Sequence, residues 1–305
     1  MRWLLFFALI HLAPAGSAAL ARSEGARDTA QLQIGGGTID IAFTSRPAES
    51  LRGMILNWIA TAARSVSTYY ERFPVRHVDI AVEIHDGRGI NSGRAFGWEH
   101  AHIEIAVGRS TSAAEFSDDW TITHEMVHLA FPSVPQRHHW IEEGLATYVE
   151  PIARARAGNL TQEKIWGDMV EGMPQGLPKT GDRGLDFTHT WGRTYWGGAL
   201  FCLLADVEIR KRTGNRMGLE GGLRGILKSG GSIEVEWPLN RTLRAADQAT
   251  GVPVLQEMYD KTSATPVAPD LDKLWKDLGI IYDRDKVTFD DSAPLAAVRK
   301  AIGGG

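Results

Sequence analysis

The residue types best suited to chemistry in this chain stand in the run His124-Glu125-Met126-Val127-His128. On a helix, His124 and His128 lie one turn apart on the same face. Two neutral imidazoles at that separation can close on one Zn²⁺. Glu125, about 100° round the helix, can reach a water on the open side of the metal. Fourteen residues intervene before Glu143, which sits in Trp140-Ile141-Glu142-Glu143-Gly144-Leu145-Ala146-Thr147-Tyr148. A carboxylate from this following helix is the expected third ligand. Two histidines, one glutamate and one open position form the ligand set of a hydrolytic zinc site, which lowers the pKa of a bound water while Glu125 accepts its proton. The alternative is that the histidines only pack or hydrogen-bond, but a chance H-E-x-x-H in a chain of this composition has a likelihood of roughly 2%.

These residues need a helix to position them. Ser117-Asp118-Asp119 supplies a helix start, and Pro132 follows Leu129-Ala130-Phe131, so the motif is predicted inside a helix of about four turns. Upstream, residues 22–35 read as a polar tail ending in Gly35-Gly36-Gly37. Residues 38–43 alternate as a strand, and Leu51, Met54, Ile55, Trp58, Ile59, Ala62 and Val66 recur at helical spacing within 48–72. Residues 78–84 and 102–107 read as strands, joined by a Gly-rich loop through Gly87, Gly89 and Gly93. Downstream the pattern is helical. A helix from Glu142 to about 157 is expected to bend or end at Pro151. Residues 158–190 mix short helices with loop, and a long apolar helix from Tyr195 to about 212 closes at Thr213-Gly214-Asn215. Further helices fall near 218–227, 239–250, 254–259 and 269–278. The fold class is therefore α+β, with a mixed β/α part over 22–115, a helical part over 116–285 and a tail over 286–305.

The N-terminus reads as a secretory signal peptide over 1–21. Arg2 precedes the apolar residues 3–12, and Ala19-Leu20-Ala21 offers a cleavage site. A retained anchor is the alternative. The mature chain is expected to be exported, periplasmic or secreted, without stable membrane insertion. Composition is that of a globular protein, 43% hydrophobic and 23% charged, and a net charge of −4 with no basic block argues against a nucleic-acid partner. The single cysteine, Cys202, lies in an apolar helical run and is expected to be a buried hydrophobe.

The motif together with Trp140-Ile141-Glu142-Glu143-Gly144-Leu145-Ala146-Thr147-Tyr148 resembles the gluzincin metallopeptidases, whose third zinc ligand is the Glu that matches Glu143. Tyr195-Trp196-Gly197-Gly198-Ala199-Leu200, followed by Asp206-Val207-Glu208-Ile209-Arg210, is similar to a segment of the glycyl aminopeptidase family. The resemblance covers roughly residues 95–285. It implies a zincin (thermolysin-like) fold, Zn²⁺ as cofactor and a peptide or protein substrate. A lysine in the family's segment is replaced by Gly197 here. By analogy with related aminopeptidases, Glu99 in Gly97-Trp98-Glu99-His100 would pair with a substrate's free ammonium, and the strand after it would align the peptide.

Tyr195 is a candidate donor to the oxyanion. His189 and Arg193 are weaker candidates, expected in solvated loop roles. His138 and His139 are expected to hydrogen-bond or lie at the surface, and Glu142 to face away from Glu143's site. Asp206 and Arg210, at i and i+4, make a structural pair. The reading is a zinc metallopeptidase, with an aminopeptidase as its narrower form; its rivals are a zinc hydrolase of a non-peptide substrate and a non-catalytic, zinc-stabilised envelope protein. An intact Glu125 argues against the last, since a structural site needs no base.

Overall fold

A computed structural model describes residues 28–304. The signal-like segment 1–21 lies outside them. The chain folds as a mixed five-stranded sheet followed by a mainly helical half, in keeping with the predicted α+β class.

The expected tail at 22–35 contains a strand. Thr29–Ile34 (β1) pairs antiparallel with Gly37–Phe43 (β2) through a two-residue turn in which Gly35 and Gly36 both hold positive φ. That turn twists with the strands it joins, so two glycines and a polar alternating segment suffice for a hairpin. Glu49–Tyr70 (α1) then crosses over to His77–His85 (β3), parallel to β2. The expected Gly-rich loop likewise contains a strand, Ile90–Phe96 (β4), antiparallel to His102–Gly108 (β5). The sheet order is β1-β2-β3-β5-β4, which makes β4 an edge and β5 an interior strand. Ile39, Ile41, Val78, Ile80, Val82, Ile103 and Ile105 point inward and share one core with Ile55, Ile59 and Val66 of α1 and Ile122, Met126 and Val127 of the motif helix.

The motif helix is shorter than predicted, because Ser117-Asp118-Asp119 ends one helix and starts another. Ala113–Asp118 (α2) is closed at its start by a capping box between Ser112 and Glu115. Asp119 turns to an extended conformation, and its carboxylate accepts from the Thr121 N–H at 2.9 Å. Thr121–His128 (α3), two turns long, carries the motif.

After a short 3₁₀ turn, His139–Arg156 (α4) runs through Pro151 without ending there. Gln162–Gly172 (α5) follows. A π-helical turn, Arg193–Gly197, leads into Gly198–Thr213 (α6), which stops at Gly214 in the left-handed region. The backbones of α4 and α6 nearly touch: a Cβ on Gly144 would lie 2.2 Å from the Gly198 backbone, and one on Gly198 would lie 2.1 Å from the Trp140 carbonyl oxygen. The Asp206–Arg210 pair is buried and extended by Glu220, the Tyr148 hydroxyl and the Leu219 N–H. Cys202 is buried in α6, as expected.

Leu219–Lys228 (α7), Leu239–Thr250 (α8), Val254–Thr262 (α9) and Leu271–Leu278 (α10) complete the helical half. The expected tail over 286–305 is structured to residue 304. Ile280–Asp283 (β6) pairs with Lys286–Phe289 (β7), and Ala296–Gly303 (α11) buries Val298 and Ile302. Among the described residues, no helix is long and apolar enough to cross a membrane.

Candidate metal centre

The two-turn α3 brings His124 and His128 onto one face, and the close α4–α6 crossing fixes the start of α4 against it. Glu143, one turn into α4, thereby meets both imidazoles: its Oε2 lies 3.2 Å from His124 Nε2 and 3.7 Å from His128 Nε2. The three ligand atoms lie within 4.8 Å of one another, with His124 buried and His128 half-buried. Tetrahedral zinc with bonds near 2.0–2.1 Å separates its ligands by about 3.4 Å, so the donor types and spacings fit that ion.

Burial would raise the Glu143 carboxyl, but hydrogen bonds from His124, His128 and His139 hold it well below the usual carboxylate range. Burial works against a charged His128, yet its contact with Glu143 outweighs this and raises it. A concentrated negative centre is thus built to hold cationic charge. His139 completes it from outside. Its Nε2 lies 3.2 Å from Glu143 Oε1 and its Nδ1 3.1 Å from Glu142 Oε2. Glu142, expected to face elsewhere, also lines the cleft and accepts from the Val134 N–H.

The centre opens into a cleft of about 1050 Å³. Glu125 lies on its wall, 8% exposed, directly behind the edge strand: a Cβ on Gly93 would come within 2.9 Å of Glu125 Cγ. Only a glycine there lets β4 approach the carboxylate so closely. Tyr195, in the π-helical turn, stacks on His124 with ring centroids 6.4 Å apart. Burial, then the Glu143 and Glu125 carboxylates, raise its hydroxyl and keep it protonated. Trp120, exposed at the start of α3, meets His124 edge-on, and the exposed Trp191 stacks on Tyr195.

His124, Glu125, His128, Glu143 and Tyr195 therefore converge. Glu99 does not join them. It is exposed in the turn between β4 and β5, at φ +62°, and is not among the cleft-lining residues, whereas its neighbours Gly97 and Trp98 are. The strand after Glu99 is β5, whose two edges are already taken by β3 and β4, so it has no free edge for a peptide. The free edge that lines the cleft belongs to β4. His138 is buried, its Nδ1 2.8 Å from Asp186, in a network with Trp140 and Tyr259. His189 is exposed, as expected, but Arg193 is buried: its Nε lies 2.7 Å from Asp182 Oδ2, poorly aligned for a hydrogen bond. Sequence reasoning missed β4, Trp120 and the His139 contact. The run Ile90–Phe96 carries no apolar–polar alternation, so no local signal marks β4 as a strand.

No protein-family model matches the chain, and no curated protein matches it in sequence. Its fold is similar to solved structures. An aminopeptidase N family protein from Idiomarina loihiensis matches over 84% of this chain and 50% of its own, at 14% identity and a TM-score of 0.60. An M1 zinc metallopeptidase from Deinococcus radiodurans matches over 80% and 53%, at 15% identity and a TM-score of 0.50. The yeast LTA4 hydrolase matches over 79% and 40%, at 13% identity and a TM-score of 0.52. The chain thus spans about half or less of the length of the structures it resembles, and the likeness is one of fold.

Proposed function

We propose that this chain is a zinc-dependent peptidase that binds an extended peptide along the free edge of β4. The observation that carries the proposal is the convergence of His124, His128 and Glu143, with Glu125 between that centre and the edge strand. The descriptions of one neighbour as an M1 zinc metallopeptidase and of another as an aminopeptidase N family protein support the same reading.

His124, His128 and Glu143 would hold Zn²⁺, which when bound would supply Lewis acidity and acidify the attacking water. Glu125 takes the proton of the attacking water and passes it to the departing amine. The protonated Tyr195 hydroxyl donates to the oxygen that gains charge as the carbonyl is attacked. Backbone groups on the open side of β4 hydrogen-bond the substrate in extended form, and Gly93 keeps that strand within reach of Glu125.

The decisive variant is Glu125→Gln. It should keep the fold and one bound zinc at the centre while kcat/KM on a peptide library falls at least about 10²-fold, the scale of a general base. Turnover surviving in a fully metallated Glu125→Gln would rule out the mechanism and leave a zinc-stabilised binding protein.

A preference for free N-termini is a second reading, supported by the aminopeptidase N family neighbour. Its ammonium anchor would have to be a cleft carboxylate such as Glu142 instead of Glu99. N-acetylation of substrate then removes a charge-assisted contact worth about 1.5–3 kcal/mol, and Glu142→Gln should abolish the preference. Equal cleavage of blocked and free peptides would mark an endopeptidase. The signal-like residues 1–21 support export, which an N-terminal sequence of the mature protein tests.

A further inference from the structure

We infer that the outer face of the sheet carries a second metal site, for a first-row divalent cation, held by Asp40, His77 and Asp79 with His100 beside them. These residues lie on the solvent side of β2 and β3, on the face opposite the apolar side that packs on α1 and the motif helix. Asp40 and Asp79 are directly opposed in the parallel β2–β3 register. Like charges so placed destabilise a sheet unless something cationic lies between them. Among the described residues, their ion-pair partners are imidazoles, not lysine or arginine.

A proton alone serves this arrangement poorly. Both carboxylates approach the same nitrogen, His77 Nε2, at 2.9 Å from Asp40 Oδ2 and 3.5 Å from Asp79 Oδ1. That nitrogen carries at most one hydrogen, which points at one acceptor at a time. A cation in place of the hydrogen engages both carboxylates and the imidazole together. The three ligand atoms lie within 4.8 Å of one another, and their spacings bracket the roughly 3.4 Å between ligands of tetrahedral zinc.

The surroundings also match a metal site. Gln31 Nε2 donates to Asp40 Oδ1 at 2.7 Å, fixing that carboxylate while leaving Oδ2 for the ion. His100 Nε2 lies 2.8 Å from Asp79 Oδ2, the imidazole–carboxylate pairing that orients a metal ligand from outside. Side chains 41–48% exposed leave room for water to complete the coordination. His100 belongs to the turn that also holds Gly97 and Trp98 on the cleft rim, so the ion would tie that rim to β3. Imidazole and carboxylate donors suit zinc and its first-row neighbours, and zinc is the probe.

The test is equilibrium dialysis of the full chain against Zn²⁺, with metal counted per chain. Wild type should bind two, His77→Ala and Asp79→Asn one each, His124→Ala one, and the His77→Ala/His124→Ala double variant none; His189→Ala, removing an exposed histidine elsewhere, should still bind two. Zinc should also raise the Tm of His124→Ala but not that of the double variant, a readout independent of catalysis. Saturation of wild type at one ion that His77→Ala retains, or two ions retained by both His77→Ala and Asp79→Asn, would overturn the site and leave a set of surface ion pairs. One ion lost only in His124→Ala would report on the catalytic centre alone. His77→Gln provides the same count if the alanine variant is poorly folded.

Discussion

The two oxygens of Glu143 have different duties. Oε2 faces His124 and His128, whereas Oε1 is held by His139 at 3.2 Å, which itself leans on Glu142. A metal-ligating carboxylate gripped by an outer hydrogen bond is pre-oriented, and loss of such a partner typically costs 10–100-fold in metal affinity. His139→Ala should therefore leave the fold intact and weaken zinc binding by roughly 10–100-fold in a chelator competition. Unchanged affinity would return His139 to a surface role. Glu143→Ala, which removes a ligand outright, should lose the metal at chelator concentrations that His139→Ala survives.

At the scale of elements, the position of Glu143 depends on two glycines. With backbone atoms near 2.1–2.2 Å from any added Cβ at Gly144 or Gly198, nothing flexible can yield, and α4 must move off α6. Overpacking of this kind costs about 3 kcal/mol or more. Gly198→Ala should lower the denaturation midpoint accordingly and weaken zinc binding as well, because α4 carries Glu143; an unperturbed midpoint would refute the close crossing. The capping box before the motif helix gives a pH signature. Hydrogen bonds from the Ser112 N–H and hydroxyl, then Arg88, hold the Glu115 carboxyl down at about 2 against its ordinary 4.5. For a depressed carboxyl, the stabilisation is present above the unfolded value and is lost as pH falls through the folded one. Glu115→Gln should accordingly lower Tm at pH 6–7 and converge on wild type near pH 2. A difference independent of pH would mean the charge contributes nothing.

Across the whole molecule, the site depends on chain far from it in sequence. The helix that offers Glu143 near its start is held at its end by α11: Arg156 donates to the Ile302 and Ala301 carbonyls, both at 3.0 Å, and lies over the Tyr69 ring. Val298 and Ile302 fill the core there, each burial contributing about 1.5–3 kcal/mol. Deleting residues 294–305 should drop Tm by roughly 10 °C and broaden the transition, measured by calorimetry. An unchanged transition would show the closing helix to be dispensable.

Taken by itself, the sequence made the candidate ligand set legible. Four-residue spacing on any helix puts His124 and His128 on one face, and the Glu125 between them must point elsewhere, so these roles are local and legible. Strong periodicities gave α1, β2, β3 and β5 for the same reason, each element writing its own buried face, whereas α6 was legible as a long apolar run closed by Thr213-Gly214-Asn215. What stayed hidden depends on partners distant in the chain. β4 is a strand because β5 lends it a hydrogen-bonding edge, and its weak, glycine-containing pattern reads as loop without that partner. β1 needed the Gly35-Gly36 turn to fold it back on β2. Glu99 had a plausible neighbourhood in sequence, yet a left-handed turn carries it away from the cleft. His139 and Glu142 gained their part only when the crossing of α4 and α6 set α4 against α3. Ligand type is a property of residues and their spacing, but which edge is free, and which side chains share a cleft, is decided by tertiary packing.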